Sequence, residues 1–221
     1  MKQQIFNWQN KAVIVALITI GLLAAITWPG IIFYPMGAVL YRNDHPEKNA
    51  DAVLILMGEP EIRPEAATKA VLSGMSDKII FVTPQISPLE EAGLRLSEDD
   101  LTIEVIKKNG FSLDKVIVIR DFGRSTSTVD ESIAISKFID KTGIKLSRLI
   151  VVTSWPHTSR AGWILEKGLA KKGVTVEMLP VERIPYDKSN WWQSERGLIF
   201  IFEEYIKWAR YLAKYSGRDI T

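Results

Sequence analysis

Five short, almost uninterrupted apolar runs recur along the chain and leave few folds open to it. They are DAVLILM (Asp51–Met57), KIIFVT (Lys78–Thr83), KVIVIR (Lys115–Arg120), RLIVVT (Arg148–Thr153) and VTVEML (Val174–Leu179). A strand with one wet face alternates apolar and polar residues, whereas a strand buried on both faces reads as a continuous apolar run. Segments with helical periodicity lie between the runs: Ile62–Ser73, Glu98–Asn109, Val129–Lys141 and Thr158–Lys171. This alternation predicts an α/β protein, a Rossmann-like doubly wound, mainly parallel five-stranded sheet with helices on both faces. A last helix over about Ser194–Tyr215 carries Leu198, Ile201, Tyr205, Trp208 and Leu212 at helical spacing and should pack on the body. The connection PQISPLEEAGLRLS (84–97), with two prolines and a glycine, reads as a surface loop near the sheet edge.

The other constraint is at the front of the chain, where no charged residue occurs from Ala12 to Tyr41. A helix needs about 20 apolar residues to cross the hydrocarbon core. This run reaches that length if it continues through, or kinks at, Pro29. The division expected is a short tail (1–11), one transmembrane anchor (12–34), a linker (35–49) and the α/β domain (50–221). Trp28, Tyr34 and Tyr41 suit an interfacial belt. Lys2 and Lys11 before an apolar stretch also fit a cleaved signal peptide, but the run is long for one and no small-x-small site ends it. Lys2 and Lys11 balance Arg42 and Lys48 across the run. The short tail and free amino terminus then favour an inside N-terminus, with the domain outside the cytoplasm.

Composition removes several functions. The 28 basic and 26 acidic residues leave a formal charge of +2, and that surplus lies within the first 48 residues. A neutral body without a basic run argues against nucleic acid as a partner. The absence of cysteine excludes disulfides, thiolate metal sites and thiol nucleophiles. Neither G-x-G-x-x-G, nor G-x-x-x-x-G-K-[ST], nor G-x-S-x-G occurs. His45 and His157 stand too far apart in sequence to suggest zinc, while Glu59, Asp121 or Glu131 leave a carboxylate-bound Mg²⁺ or Ca²⁺ open.

In such a fold ligands bind beyond the carboxyl ends of the strands. The first run is followed by GEPEIRPEAA, with Gly58, Glu59 and Arg63; the third by DFGRSTSTVDES, with Arg124, Ser125 and Thr128; the fourth by SWPHTSRA, with Ser154, His157 and Arg160. Three arginines, a histidine and two helix N-termini on one rim suit an anion such as phosphate. His157 and Arg160, three apart on a helix, share a face, and His157 could be an acid, a base or a nucleophile. Each residue also has a plainer use. Thr128-x-x-Glu131 has the spacing of a capping box, His157 follows Pro156 in a first helical turn, and Arg63 could pair with Glu59 or Glu65. Trp191 and Trp192 suit core packing, and Glu203–Glu204 a solvated face with one member turned inward.

Taken in order, DAVLILMG with Arg63, RSTSTVDES, VVTSWPHTSRA and NWWQSERGLIFIFEEYIKWARYLA resemble the YdcF/SanA/ElyC-like family of bacterial domains. The resemblance runs from about Asp51 to the C-terminus and rests most on Thr153, Ser154, His157, Arg160 and Ala161, with Gly58, Arg63, Ser125, Thr128 and Glu131 in support. It implies a Rossmann-like sheet and, for many members, an N-terminal membrane helix with the domain outside the cytoplasm. It also implies links to envelope integrity, peptidoglycan synthesis and lipid carriers, and one soluble member binds S-adenosylmethionine. The chain departs from the family where Glu59-Pro60 follows Gly58 and where Thr83-Pro84 replaces a Ser-Gly-Gly turn. Both changes remove backbone freedom useful for hugging a nucleotide phosphate.

The expectation is therefore a single-pass protein of the bacterial plasma membrane. It acts on a polyprenyl phosphate or diphosphate carrier by hydrolysis or transfer. Gly58, Arg63, Arg124, Ser125, Thr128, Ser154 and Arg160 would bind the anion, and His157, Glu59 and Glu131 would supply the chemistry. No cofactor is required, with Mg²⁺ and S-adenosylmethionine left open. A non-catalytic sensor of the same headgroup and an S-adenosylmethionine-dependent transferase are the alternatives.

Overall fold

The computed structural model describes residues 2–182 and 186–220, and the side chains of 10–24, 26–182 and 186–220. The five apolar runs form β1 (Ala52–Ile55), β2 (Ile79–Val82), β3 (Val116–Ile119), β4 (Arg148–Ser154) and β5 (Thr175–Val181). They make one sheet in the order β3-β2-β1-β4-β5, with every pairing parallel. Between them stand α3 (Arg63–Leu72), α4 (Pro88–Glu91), α5 (Glu98–Lys108), α6 (Thr128–Thr142) and α7 (Thr158–Leu169), and α8 (Glu195–Tyr215) closes the chain.

Residue parity explains why the runs are continuous. Leu54, Ile80, Ile119 and Val151 face one side, against Ala134 and Ile135 of α6 and Leu165 of α7. Val53, Ile55, Phe81 and Val152 face the other, against Ala67 and Val71 of α3 and Ile106 of α5. Both faces are dry, so β1, β2 and β3 are apolar throughout, and polar residues enter only at the ends of β4 (Arg148, Thr153, Ser154) and in β5 (Thr175, Glu177). The chain is an α/β protein with helices on both faces of a five-stranded parallel sheet. The path leaves β3 at one edge and returns beside β1, so the strand order reverses between β1 and β4, the switch point where such sheets hold ligands. The 84–97 connection contains α4 and reaches the third strand's exit through a parallel bridge between Pro84 and Ser125.

The charge-free N-terminal run is divided at Trp28–Pro29 into α1 (Lys2–Thr27) and α2 (Gly30–Leu40). Proline lacks the N–H that an interior helical position donates, so a break there is expected. The helical backbone begins at Lys2, within the expected tail, and α2 carries helix into the expected linker. Val13, Leu17, Ile20, Leu23 and Ile26 of α1 are each more than half exposed, on all sides of the helix. Among the described residues, no helix is long and apolar enough to cross a membrane. The second helix packs on the body: Leu40 is buried with Trp155, Tyr186, Trp191 and Ile201. Trp191 donates from Nε1 to the Phe33 carbonyl (3.2 Å), and Tyr205 from its hydroxyl to that of Met36 (2.7 Å). A Cβ added at Gly37 would lie 2.7 Å from Trp191 Nε1, so the approach needs glycine.

Candidate functional site

A cleft of about 640 Å³ opens beyond the carboxyl ends of the strands, between the β1 and β4 exits, the start of α6 and one face of α8. Eight of the ten residues singled out from sequence line it: Gly58, Glu59, Arg63, Ser125, Thr128, Glu131, His157 and Arg160. Ser154 lies behind the wall, where its Oγ accepts from Arg63 Nε and Nη2 at 3.2 and 3.1 Å. Arg124 is exposed outside the lining and donates to the Pro84 carbonyl at 3.1 Å.

Arg63 is committed to the protein. Its Nη1 donates to the Leu56 and Met57 carbonyls (both 2.7 Å) and its Nη2 to Glu59 Oε2 (3.2 Å). With Ser154 these contacts use every N–H of the guanidinium, so Arg63 fixes the end of β1 rather than presenting an open fork. The pairing with Glu59 is the plainer of the two uses allowed by sequence. Gly58, at φ +122°, gives the turn a backbone that side chains other than hydrogen rarely adopt, and its N–H donates to the Glu98 carboxylate.

The hydroxyl run after β3 corrects one expectation. The cap of α6 is Ser127, whose Oγ accepts from Asp130 N–H at 3.3 Å, while Asp130 Oδ2 accepts from Thr126 N–H at 2.9 Å. The sequence offers the same spacing at Thr128–Glu131, one residue later, but those side chains are turned inward. Glu131 Oε1 accepts from Met57 N–H at 3.0 Å, closing the end of β1, and Thr128 Oγ1 meets His157 Nε2 at 3.2 Å. The first-turn N–H groups of Thr128 and Val129 have no partner among the described residues and add their partial positive charge to the cleft.

Burial pushes the Glu131 carboxyl up to about 8, against a partial lowering by the Met57 N–H and by Arg63, so it holds its proton at neutral pH. Burial also raises Glu98 above its ordinary range. His157 moves the other way: burial first, then Arg160, Arg63 and Lys207, hold it well below its ordinary value, and the ring is neutral at pH 7. Its Nδ1 lies 3.0 Å from Thr153 Oγ1. Thr153 is fully buried, and the ring is the only acceptor its hydroxyl reaches among the described residues. A buried O–H needs an acceptor, so Thr153 donates to Nδ1, Nε2 carries the ring proton, and Nε2–H donates to Thr128 Oγ1. The Thr128 O–H is then free to donate into the cleft. In this tautomer neither ring nitrogen offers a lone pair to a ligand.

Arg160 is ion-paired too, but only two of its five N–H groups have a partner among the described residues. Its Nε and Nη2 donate to the two carboxylate oxygens of Glu204 at 2.7 and 2.8 Å, and the guanidinium lies 5.3 Å from the centre of the Tyr211 ring. Glu204 is the inward member of the Glu203–Glu204 pair; Glu203 bonds Lys207 at 2.6 Å on the surface. Sequence reasoning missed Glu98, Lys207, Arg210 and Tyr211 as lining residues. For the three on α8, the period of the helix was the available signal: one face contacts the core, and the next face along meets the cleft. Nothing local marked Glu98, which reaches Gly58 from 40 residues away. Among the described residues, no three histidine or acidic side chains converge as metal ligands.

No protein-family model and no curated protein matches the chain. Among solved structures the chain is similar to one described as the crystal structure of an aureusimine biosynthetic cluster reductase domain. The identity is 13% over 73% of this chain and 58% of that one, with a TM-score of 0.31.

Proposed function

We propose that this chain is a membrane-anchored envelope protein whose cleft takes the phosphate-bearing headgroup of a lipid carrier, of the polyprenyl phosphate or diphosphate class, for hydrolysis or transfer. The observation that carries this reading is the donor set at the start of α6. Two N–H groups without a partner among the described residues and the His157-backed Thr128 O–H stand at the cleft beside a carboxyl that is itself protonated at neutral pH, while the Ser125, Thr126 and Ser127 hydroxyls donate to Thr83 and Asp130 and shape the turn. With Arg63 and Arg160 already paired and Lys207 bonded to Glu203, the remaining cation of the lining is Arg210 on α8.

In the reaction, a phosphate oxygen accepts from the α6 N–H groups and Thr128. A water or acceptor hydroxyl, oriented by Glu59, which Arg63 holds, forms the new P–O bond as the bond to the leaving oxygen breaks; Glu131 gives its proton to that oxygen, and the nucleophile's proton passes to an oxygen of the transferred phosphoryl group. His157 keeps Thr128 aimed. The apolar surface of α1, exposed on all sides, supports the anchor, and the resemblance to the YdcF/SanA/ElyC-like family supports both the envelope setting and the lipid carrier.

A specific observation favours a second reading, that of a sensor without turnover: both buried arginines are ion-paired to carboxylates, and neither nitrogen of the His157 ring offers a lone pair to the cleft. One experiment separates the two. The full chain in lipid nanodiscs is mixed with polyprenyl diphosphate, with and without Mg²⁺, and phosphate release and binding are followed together. Turnover that falls about 10²- to 10⁴-fold in Glu131→Gln fits the enzyme. Saturable binding without turnover selects the sensor, and neither binding nor turnover refutes the lipid-carrier reading.

A further inference from the structure

One side of α8 is covered by none of the described residues. Around this helix, Ile201 and Gly197 enter the core, Tyr205 reaches α2, and Glu204, Lys207 and Tyr211 face the cleft. Ile199, Phe202 and Ile206, spaced i, i+3, i+7, are 60, 48 and 70% exposed, and the exposed Ala209 and Ala213 extend the same stripe. Exposed apolar stripes of this length on a helix mark a contact surface.

Two observations identify what it contacts. The first is charge. The edge of the stripe nearest the cleft carries Arg196, Arg210 and Lys214, all exposed. Glu203 stands on the same edge, where Lys207 takes it, and Glu195 lies at the start of the stripe. A second copy packed antiparallel on this face through a two-fold axis would bring the cationic edge against itself, whereas anionic headgroups complement it in any orientation. The second is continuity. The α2 helix is locked to α8 through Tyr205 and Trp191, and its own outward residues Ile31, Ile32 and Val39 are 52, 47 and 66% exposed. Trp28, 70% exposed, stands where α2 meets the bare apolar α1.

We propose that the outward face of α8, together with that of α2, rests in the interfacial layer of an anionic bilayer. The Ile199–Phe202–Ile206 stripe lies among the upper acyl chains and Arg196, Arg210 and Lys214 lie at the phosphates. This is the geometry of an amphipathic helix lying in the interface plane. It rests on the membrane reading and adds to it: the cleft mouth, on the neighbouring face of α8, then opens at headgroup depth, and a lipid-borne phosphate reaches it without leaving the membrane.

The absence of cysteine allows a direct test. Single substitutions Ile199→Cys, Phe202→Cys and Ile206→Cys in the full chain are labelled with nitrobenzoxadiazole and reconstituted into phosphatidylcholine–phosphatidylglycerol vesicles. Ile18→Cys on α1 reports the anchor, and Leu72→Cys on α3 reports a water-facing surface. Quenching of the three α8 labels by brominated lipid, about twofold or more above that at Leu72, is expected. That quenching should weaken in an Arg196→Gln/Lys214→Gln background only when phosphatidylglycerol is present. Quenching at Ile18 with the α8 labels in water overturns the proposal and leaves the anchor standing. Quenching at none of the sites removes the anchor as well. Labels on α8 that are shielded from water but untouched by brominated lipid, and that cross-link to one another, assign the face to a second copy and overturn the proposal.

Discussion

Two buried ionisable groups in the cleft pull the pH dependence of stability in opposite directions. Glu131 is raised in the folded state to about 8, so the native protein binds a proton there that the unfolded chain releases near the ordinary value of 4.5. Its contribution is complete below 4.5 and is lost as pH rises towards 8, at up to about 1.4 kcal/mol per pH unit. His157 is depressed below 6.5, so the unfolded chain binds the proton that the native state refuses, and stability is lost as pH falls below 6.5. Between 4.5 and 6.5 the two slopes oppose one another, and between 6.5 and 8 only Glu131 acts. Urea unfolding of the full chain in detergent should give a nearly level profile through the lower window and a decline through the upper one. Glu131→Gln should abolish the decline and expose a loss of stability on acidification. His157→Gln should do the reverse, with stability rising as pH falls from 6.5 towards 4.5. A level profile in both variants would show that these groups titrate alike in the folded and unfolded chains.

At the scale of elements, each strand and each long helix of the body was legible, because periodicity records which faces are dry. The ends were less so, and the start of α6 shows why. The string Ser127-Thr-Val-Asp-Glu131 contains two overlapping capping boxes, Ser127 with Asp130 and Thr128 with Glu131, of equal local merit. Contacts distant in sequence decide between them: Met57 takes Glu131 and His157 takes Thr128, leaving Ser127 at the cap. The register therefore predicts that Ser127→Ala costs about 1 kcal/mol and Ser127→Gly only a few tenths. Thermal melts of the two variants check it, since a cap at Thr128 would leave both near neutral. The break between α1 and α2 is similar. Proline announced an interruption, but only the Trp191 contact at Gly37 determines that the chain beyond it docks on the body.

Across the whole molecule, the α/β architecture followed from the strand–helix alternation. Which side chains converge in the cleft did not, because convergence depends on contacts that no short window of sequence contains. The buried Arg160–Glu204 pair joins residues 44 apart and fastens α8 to α7. Read along the sequence, Arg160 looks like a ligand grip; in the fold its charge is already answered. Arg160→Leu should cost about 3 kcal/mol by leaving Glu204 buried, with Lys207 Nζ at 3.8 Å giving partial relief. Arg160→Leu/Glu204→Leu should recover most of that loss in urea titrations. A single variant as stable as the parent would show that the pair contributes little to holding α8.

The same attachment sets an order of events during synthesis. Everything that lines the cleft up to Arg160 has left the ribosome before Glu204, Lys207 and Tyr211 are made. Until α8 emerges, Arg160 has no counter-ion and the cleft lacks a wall. The N-terminal apolar helix, by contrast, is available from the start. A chain cut short before α8 would therefore carry the N-terminal helix and the sheet but an unwalled cleft and an Arg160 without its carboxylate.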